Sequence, residues 1–398
     1  MLKGKTVVLA VTGSIAAYKM ANVARMLIKL GADVQVLMTR NAEKFINPIT
    51  FETLTQHRCL IDTFDRNFQY SVEHVALAKA ADCILIAPAS ANVIGKIASG
   101  IADDMLTTTV MACPCKKLVA PAMNHNMLHN PIVEDNIRKL ASYGYEIIAA
   151  DRGMLANGDI GDGRLPEEST LVEYVLRAIA YEKDLAGRHV LVTAGATREA
   201  LDPVRFITNH SSGKMGVAVA RAAAMRGAEV TLVCAHTEVA LPLFCETVKV
   251  VSAEDMFTAV TERAPQQDII IKAAAVSDYT PVTVADSKIK KKDGELVVEF
   301  RRTKDILRHL GEHKREGQLI CGFSMETDNV VGNSRRKLES KHCDLICANS
   351  LRTEGAGFGV DTNVLTLITP DTTEELPLMS KDEAAHKVLD KLCELAGK

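Results

Sequence analysis

Two stretches of the chain share one hydrophobic pattern. Lys5–Thr12 is an apolar, β-branched run that ends in the turn Gly13-Ser14, and Arg188–Thr193 is a second such run that ends in Ala194-Gly195. An unbroken apolar run closed by a glycine turn predicts a strand buried on both faces, as in a parallel sheet. Each run is followed by an Ala-rich stretch with helical periodicity, Ile15–Leu30 and Met215–Arg226, and then by near-identical second strands, Gly31–Leu37 and Gly227–Val233. This is how a doubly wound α/β unit opens, and the chain opens two of them. The polar stretch Tyr181–Gly187 marks the boundary, which divides the chain into residues 1–185 and 186–398. In the first part, strands are expected at Asp82–Ala87, Lys117–Pro121 and Tyr145–Ala149. Helices are expected there at His74–Ala80, Asn92–Ser99, Asp103–Met111, Pro131–Tyr143 and Ser169–Ala180. In the second, strands are expected at Thr247–Val251, Asp268–Ala274, Gln318–Phe323 and Asp344–Ala348. Its helices are expected at Ala253–Arg263, Lys304–Leu310, Val330–Ser340 and Lys381–Leu395, and Thr280–Phe300 reads as an extended excursion with a lysine-rich middle.

Composition narrows the class. With 47 Lys+Arg against 50 Asp+Glu, the net charge of -3 offers no electrostatic footprint for bulk nucleic acid. No apolar run approaches the roughly 20 residues of a membrane span. The chain enters its first strand directly rather than through a signal peptide, so a cytoplasmic protein is expected. Its ten cysteines lie in apolar stretches and read as packing thiols of a reducing compartment; Cys113-Pro114-Cys115 has no partner motif to complete a zinc site.

In open α/β sheets, ligands sit beyond the carboxyl ends of the strands. In the first half these ends carry Gly13-Ser14-Ile15-Ala16, Ala87-Pro88-Ala89-Ser90-Ala91-Asn92 and Pro121-Ala122-Met123-Asn124. The first is a turn at a helix start that suits a phosphate and equally suits a plain N-cap serine; it is not a dinucleotide fingerprint. The other two present small, hydroxyl and amide residues to a flat heterocycle. The loop Asp151–Arg164 holds four glycines, enough for a mobile lid. His74 is the one clearly placed acid–base candidate, although a lone histidine also serves as a surface or cap residue.

The second half repeats the arrangement with more charge. Thr193-Ala194-Gly195-Ala196-Thr197 is followed by the dense polar stretch Asp202–Gly216, in which Ser211-Ser212-Gly213 opens a helix beside Arg205 and Lys214. Ala273–Tyr279 ends another strand. The run Lys288-Ile289-Lys290-Lys291-Lys292 reads either as a solvated face or as a loop that closes over a triphosphate. Lys337 and Lys341, four apart on one helix, face the same way.

These strings together resemble a known family. Gly13–Ala16, Ser71-Val72-Glu73-His74-Val75, Ala87–Asn92, Ile101-Ala102-Asp103-Asp104 and Pro121–Asn124 are similar to the homo-oligomeric flavin-containing cysteine decarboxylases. Thr193–Thr197, Asp202–Arg205, Asn209–Gly216, Ala274–Asp278 and Lys288–Lys291 narrow the resemblance, over essentially the whole chain, to the bifunctional phosphopantothenoylcysteine decarboxylase/phosphopantothenate–cysteine ligases of coenzyme A synthesis. The resemblance implies a flavodoxin-like first domain and a ribokinase/Rossmann-like second one. It implies FMN held by Gly13, Ser14, Thr39, Ser90, Asn92 and Met123, with His74 as the essential histidine and Asn124 gripping the substrate carboxylate. Decarboxylation then runs through oxidation of the cysteine thiol to a thioaldehyde, loss of carbon dioxide and reduction of the enethiolate. In the second domain it implies CTP, with Mg²⁺ carried mainly on the phosphates, activation of 4′-phosphopantothenate as an acyl-cytidylate, and displacement of CMP by cysteine. Asn209 and Lys288 would be catalytic there. Lys272, Ala273, Ala274, Asp278, Lys288, Lys304, Asp305, Ile306, Leu307, Phe323, Lys337 and Lys341 would bind the nucleotide. Homo-oligomers are implied, with trimers of the first domain linked by dimers of the second into a dodecamer.

Two positions depart from the family pattern. Lys304-Asp305-Ile306 stands where Pro-Asp-Ile is usual, and the lid reads Leu155-Ala156-Asn157-Gly158 where the family has a proton-donating cysteine at 157. An amide has no proton acidic enough to give. The decarboxylase is then stalled at the enethiol, or uses water or Asp159 as the donor, or performs the oxidative decarboxylation alone. A chain in which only the ligase turns over, and an oligomeric flavoprotein acting as a regulatory module, are the alternatives.

Overall fold

The computed structural model describes residues 1–64, 73–156, 158–291, 296–326, 328–350 and 359–397. Expectations that fall on Ser71, Val72, Asn157 and Lys292 lie outside them. The chain divides into two compact units, Met1–Glu182 and Lys183–Lys398.

The first unit is built on a five-stranded parallel sheet of β1 (Thr6–Val11), β2 (Asp33–Met38), β3 (Cys83–Ala89), β4 (Lys116–Pro121) and β5 (Glu146–Ile147), in the order β2-β1-β3-β4-β5. This is the flavodoxin-like order, whose strand sequence reverses between β1 and β3. The register pairs Val7 with Cys83 and Ala10 with Ile86. Helices cover both faces, so β3 is buried along its whole length. On one face Val8, Ala10, Ile84 and Ile86 pack with Val93, Ile94, Leu106 and Val110. Local chemistry sets the helix starts. Ser90 caps Ala91–Ala98, and Asp104 accepts the Thr107 N–H at 2.8 Å, so the helix expected from Asp103 begins at Met105. The stretch expected to be a glycine-rich loop is an antiparallel hairpin, β6 (Asp151–Met154) against β7 (Ile160–Arg164).

The second unit has an eight-stranded sheet. Its strands in chain order are β8 (His189–Ala194), β11 (Glu229–Cys234), β12 (Cys245–Lys249), β13 (Ile269–Lys272), β16 (Leu319–Glu326), β17 (Leu345–Ser350), β19 (Thr366–Ile368) and β20 (Thr373–Glu375). The first six are parallel and lie in the order β12-β11-β8-β13-β16-β17, the Rossmann order 3-2-1-4-5-6, which reverses between β8 and β13. β19 and β20 extend the sheet antiparallel, an addition the hydrophobic pattern did not predict because each has only three residues. Two small hairpins sit beside this frame: β9 (Arg198–Ala200) with β10 (Phe206–Thr208), and β14 (Tyr279–Pro281) with β15 (Phe300–Arg302) at the base of the lysine-rich excursion. The intervening β18 is Thr362–Asn363. The helix Lys214–Met225 packs tightly on the end of β8: a Cβ at Gly216 would lie 2.7 Å from the Ala194 Cβ and 2.8 Å from the Thr193 carbonyl oxygen.

Candidate active sites at two sheet switch points

In the first unit, side-chain hydroxyls join the strand ends at the switch point. Thr12 Oγ1 donates to the Pro88 carbonyl at 2.6 Å and accepts the Ser90 N–H at 2.9 Å, which locks the exit of β1 to the exit of β3. Gly13 then passes so close to Asn41 that a Cβ would lie 2.7 Å from the Asn41 Cβ. Beyond these ends lies a cavity of about 500 Å³, lined by Gly13, Ser14, Ile15, Tyr18, Lys19, Ser90, Met123, Asn124, Met127, Met154 and Arg164 among others. That volume is typical of cofactor sites. The β6–β7 hairpin forms one wall. The Met123 N–H donates to the Gly163 carbonyl at 3.1 Å, and Gly163, at φ +124°, leaves no room for a side chain because a Cβ would fall 2.1 Å from the Met123 oxygen. Asn124 caps the next helical turn, its Oδ1 accepting the Asn126 N–H at 2.9 Å.

Not all the expected flavin residues converge here. Gly13, Ser14, Ser90, Met123 and Asn124 line the cavity; Thr39, Asn92 and His74 do not. Thr39 is buried at the end of β2, where its hydroxyl accepts the Ala42 N–H at 3.2 Å. Asn92 is exposed on the first turn of its helix, and His74 is half-buried on the helix Glu73–Ala80. Sequence reasoning missed Tyr18, Lys19 and Arg164. They reach the cavity from elements adjacent to the strand ends, and both cations are paired, Lys19 with Glu167 and Glu168 and Arg164 with Glu167.

In the second unit the same stitching recurs. Thr193 Oγ1 accepts the Ala274 N–H at 3.1 Å, and Thr197 Oγ1 accepts the Ser277 N–H at 3.0 Å. Two adjoining cavities of about 540 and 570 Å³ share Lys272, Val276, Asp278, Phe323 and Lys337. The first is also lined by Asn209, the Ser211–Gly216 turn, Ala273, Ala274, Asn349, Asn363 and Lys381, and the second by Lys304, Asp305, Ile306, Leu307 and Lys341. All the expected nucleotide residues except Lys288 therefore line one of the two. The Asn209 amide donates to the Ala275 carbonyl at 3.3 Å. Asp305 caps the helix Ile306–Glu312, accepting the Arg308 N–H at 3.0 Å, so the helix start is formed without the family's proline at 304.

Cationic crowding dominates this site. Burial, aided by the charge of Lys337, pushes the Lys272 ammonium down from 10.5 to about 8. Burial and the neighbouring Lys214 likewise lower Lys381. Lys341 is paired with Asp305, and Lys304 binds Glu254 at 2.6 Å while lying 4.7 Å over the Phe257 ring. The side-chain oxygen of Asn349 is buried without a hydrogen-bond partner. Lys288 is exposed and lines neither cavity, but its chain neighbour is fixed. Asp202, only 2% exposed, accepts the Ile289 N–H at 3.0 Å together with the Val204 and Arg205 N–H groups, both at 2.8 Å. Arg205 pairs with Asp202 and donates to the Ile289 carbonyl at 2.7 Å. Lys214, noted in the sequence beside the Ser211–Gly213 turn, lines the first cavity. Lys381, Asn349 and Asn363 were not anticipated, because they come from later elements of the unit whose place at the switch point only the fold reveals. The ten cysteines are free thiols, and none lines these three cavities. Burial pushes Cys59, Cys245 and Cys343 up to about 12, as befits packing residues.

Two Rossmann-like units, each with a cofactor-sized cavity at its switch point, define a two-site α/β ligand-binding protein. Residues 1–180 match the family model described as Flavoprotein, and residues 185–395 match the DNA/pantothenate metabolism flavoprotein C-terminal domain. The chain is 45% identical over 400 residues to the coenzyme A biosynthesis bifunctional protein CoaBC of Bacillus subtilis (strain 168), covering 100% of this chain and 98% of that one. It is 40% identical over 394 residues to the protein of the same name from Escherichia coli (strain K12), covering 98% and 97%. The crystal structure of the C-terminal domain of a CoaBC protein aligns at 42% identity with a TM-score of 0.47, covering 54% of this chain and 98% of that one. The chain belongs to the CoaBC family of bifunctional coenzyme A biosynthesis enzymes, and its first unit is a flavoprotein unit. These relatives lend no support to a ligase-only enzyme or a regulatory flavoprotein. Among the described residues, no helix is long and apolar enough to cross a membrane.

Proposed function

We propose that residues 186–398 ligate cysteine to 4′-phosphopantothenate at the expense of CTP, and that residues 1–185 then decarboxylate the product to 4′-phosphopantetheine with FMN, in a cytoplasmic enzyme. The observation that carries the reading is the contrast between the two switch-point cavities. The first is walled by Ile15, Met123 and Met154 with hydroxyl and amide groups at its strand ends; the second is ringed by Lys214, Lys272, Lys337 and Lys381.

The first cavity fits a flavin mononucleotide. Its apolar wall suits a flat ring, and the N-capped turns at Ser14 and Ser90 present backbone N–H groups to a phosphate. FMN supplies the two-electron chemistry when bound. The chain's own share begins at Asn124. With its Oδ1 committed to the Asn126 N–H, its Nδ2 is the group left to donate to the substrate carboxylate. The β6–β7 hairpin shields the reacting atoms from water. Thr39, buried within the unit, stays outside the site. His74 and Asn92 stand outside the cavity of a single chain, and this reading assigns them to sites completed between copies, in trimers of the first domain. Dimers of the second domain would link these trimers into a dodecamer.

In the second unit, Lys272, Lys337 and Asp278 bind CTP with Lys304–Leu307, Phe323 and Lys341, and Mg²⁺ rides mainly on the phosphates. A carboxylate oxygen of phosphopantothenate attacks the α-phosphorus, the bond to the β-phosphate oxygen breaks, and pyrophosphate leaves. Asn209 holds the acyl-cytidylate while the cysteine amine attacks its carbonyl carbon, loses a proton and expels CMP. Lys288 neutralises charge that develops in the first step, delivered by a loop anchored at Asp202. The test is to incubate the full chain, loaded with FMN, with 4′-phosphopantothenate, cysteine, CTP and Mg²⁺, and to identify products by mass. One pyrophosphate per amide formed, followed by loss of carbon dioxide, is expected. Absence of both pyrophosphate and amide overturns the reading.

A further inference from the structure

The first unit carries a cluster that neither proposed reaction uses. His125 opens the short helix His125–Leu128 and His129 closes it, so the two imidazoles stand four residues apart with ring centroids separated by 4.5 Å. Asp162 approaches from β7. One ligand atom from each of the three lies within 4.8 Å of the others.

The hydrogen-bond inventory of the cluster is short of protons. His129 has a carboxylate at each ring nitrogen, Glu134 at 3.2 Å from Nδ1 and Asp162 at 3.2 Å from Nε2. A neutral imidazole has one N–H. Given to Glu134, it leaves the Nε2 lone pair facing a carboxylate lone pair. The His125 Nδ1 lone pair is already met, because it accepts the Asp162 backbone N–H at 3.3 Å. The unmet contact is therefore the one between His129 Nε2 and Asp162. A second proton on His129 resolves it by giving each carboxylate its own N–H, and the two carboxylates raise its pKa accordingly. A divalent cation held between His129 Nε2 and Asp162 resolves it equally. Arg138, which flanks Glu134 at 3.9 Å, answers the outer carboxylate only.

We propose that His125, His129 and Asp162 form a binding site for a borderline-soft divalent metal of the Zn²⁺ class. Two imidazoles and one carboxylate with an open fourth position are a zinc donor set, whereas Mg²⁺ and Ca²⁺ favour oxygen-only shells. Glu134 at Nδ1 acts as the outer partner that fixes the tautomer and turns Nε2 toward the metal. The consequence is mechanical. His125 directly follows Asn124 and Asp162 directly precedes Gly163, so the metal ties together two walls of the flavin cavity already linked by the Met123–Gly163 backbone bond. Binding holds the β6–β7 hairpin closed.

The test uses the untagged full chain and Zn²⁺ alone, at about pH 7.5. Competition against a chromophoric chelator reports affinity, and limited proteolysis reports the hairpin. One saturable equivalent is expected, unaffected by excess Mg²⁺. His129→Ala and the near-isosteric Asp162→Asn each abolish it, and Glu134→Gln weakens it about tenfold or more. Zn²⁺ slows cleavage within residues 151–164 in the parent chain but not in Asp162→Asn, both giving the same far-ultraviolet circular dichroism. No saturable binding, or binding that survives both His129→Ala and Asp162→Asn, overturns the proposal. A pH-dependent melting temperature that Zn²⁺ leaves unchanged overturns it as well, and identifies His129 as a protonated bridge.

Discussion

If the second unit binds CTP as proposed, the depressed ammonium of Lys272 makes that binding sensitive to pH in a range where lysines are ordinarily inert. Burial, with Lys337 adding its charge, brings the group from 10.5 to about 8. A triphosphate needs the protonated form. The charge is lost as pH rises through about 8, so affinity stays flat below that point and declines above it. At pH 9 only about one site in ten keeps its proton, and affinity is down roughly tenfold from its plateau. Cys343, the thiol nearby, is pushed up to about 12 and stays silent across this window. Isothermal titration with CTP and Mg²⁺, without phosphopantothenate, measures the profile. Lys272→Met lowers the plateau and flattens the slope. Lys337→Met removes the cationic neighbour and moves the midpoint upward. Affinity that is constant to pH 9.5, or a slope unchanged in Lys272→Met, refutes the reasoning.

The same shift has an opposite signature in stability. The unfolded lysine keeps its ordinary pKa, so between about 8 and 10.5 the unfolded chain binds more protons than the folded one, and stability rises with pH. Below pH 8 the penalty of holding the charge in the ligand-free site is fully present. At full strength it amounts to roughly 3 kcal/mol, which partial exposure to the cavity reduces to about 1–2 kcal/mol. Lys272→Met therefore stabilises the ligand-free protein at pH 7, and the gain shrinks toward zero near pH 10.5. Urea midpoints at the two pH values check this.

Further outcomes are expected. Asn209→Asp or Lys288→Ala lowers ligation by ~10²–10³ while decarboxylation of supplied phosphopantothenoylcysteine is unchanged; equal loss of both activities argues against separate sites. Gly163→Ala, whose Cβ would sit 2.1 Å from the Met123 oxygen at a backbone φ of +124°, displaces the β6–β7 hairpin. It lowers FMN occupancy, read from the flavin absorbance of the purified protein, and full occupancy contradicts that role for the hairpin. Asn157→Cys restores an acidic proton to the lid and accelerates the last reduction, with less enethiol in the product mass spectrum; an unchanged rate and product ratio shows that water or Asp159 already suffices.

The frame of both units was legible because buried parallel strands leave an unmistakable mark. Lys5–Thr12 and Arg188–Thr193 need no partner to be read, and the glycine turns after them locate the switch points. What escaped depends on distant partners. The β6–β7 hairpin has glycine where strands usually have branched residues, and part of its support is the Met123 N–H, far away in sequence. β19 and β20 are too short to carry a pattern and borrow their register from β17. Among the cavity-lining residues, Gly13, Ser90 and Asn124 were legible because they end strands or begin helices, and Asn209 only through the family resemblance. Lys381 was not, because nothing about a lysine opening the last helix says that it is buried beside Lys214. Asp202 stood in a quoted motif, yet its work is to hold the backbone of Ile289, which only the folded chain reveals.

One topological device thus serves two chemistries, and charge at the strand ends separates them. The first unit closes its switch point with Gly13, Ser14, Ser90 and Asn124, groups that solvate a ligand without adding charge, and pairs its cavity cations Lys19 and Arg164 with Glu167. Such a site is electrostatically at rest when empty. The second unit gathers Lys214, Lys272, Lys337 and Lys381 around one space. Lys214 is paired with Asp361 at 2.6 Å, and desolvation together with a neighbouring lysine lowers Lys272 and Lys381. That site is under strain until a polyanion arrives, so part of the affinity for a triphosphate is relief of a penalty already present in the fold. When pyrophosphate leaves after activation the penalty returns, so the same cationic crowding that favours triphosphate binding opposes release of the first product.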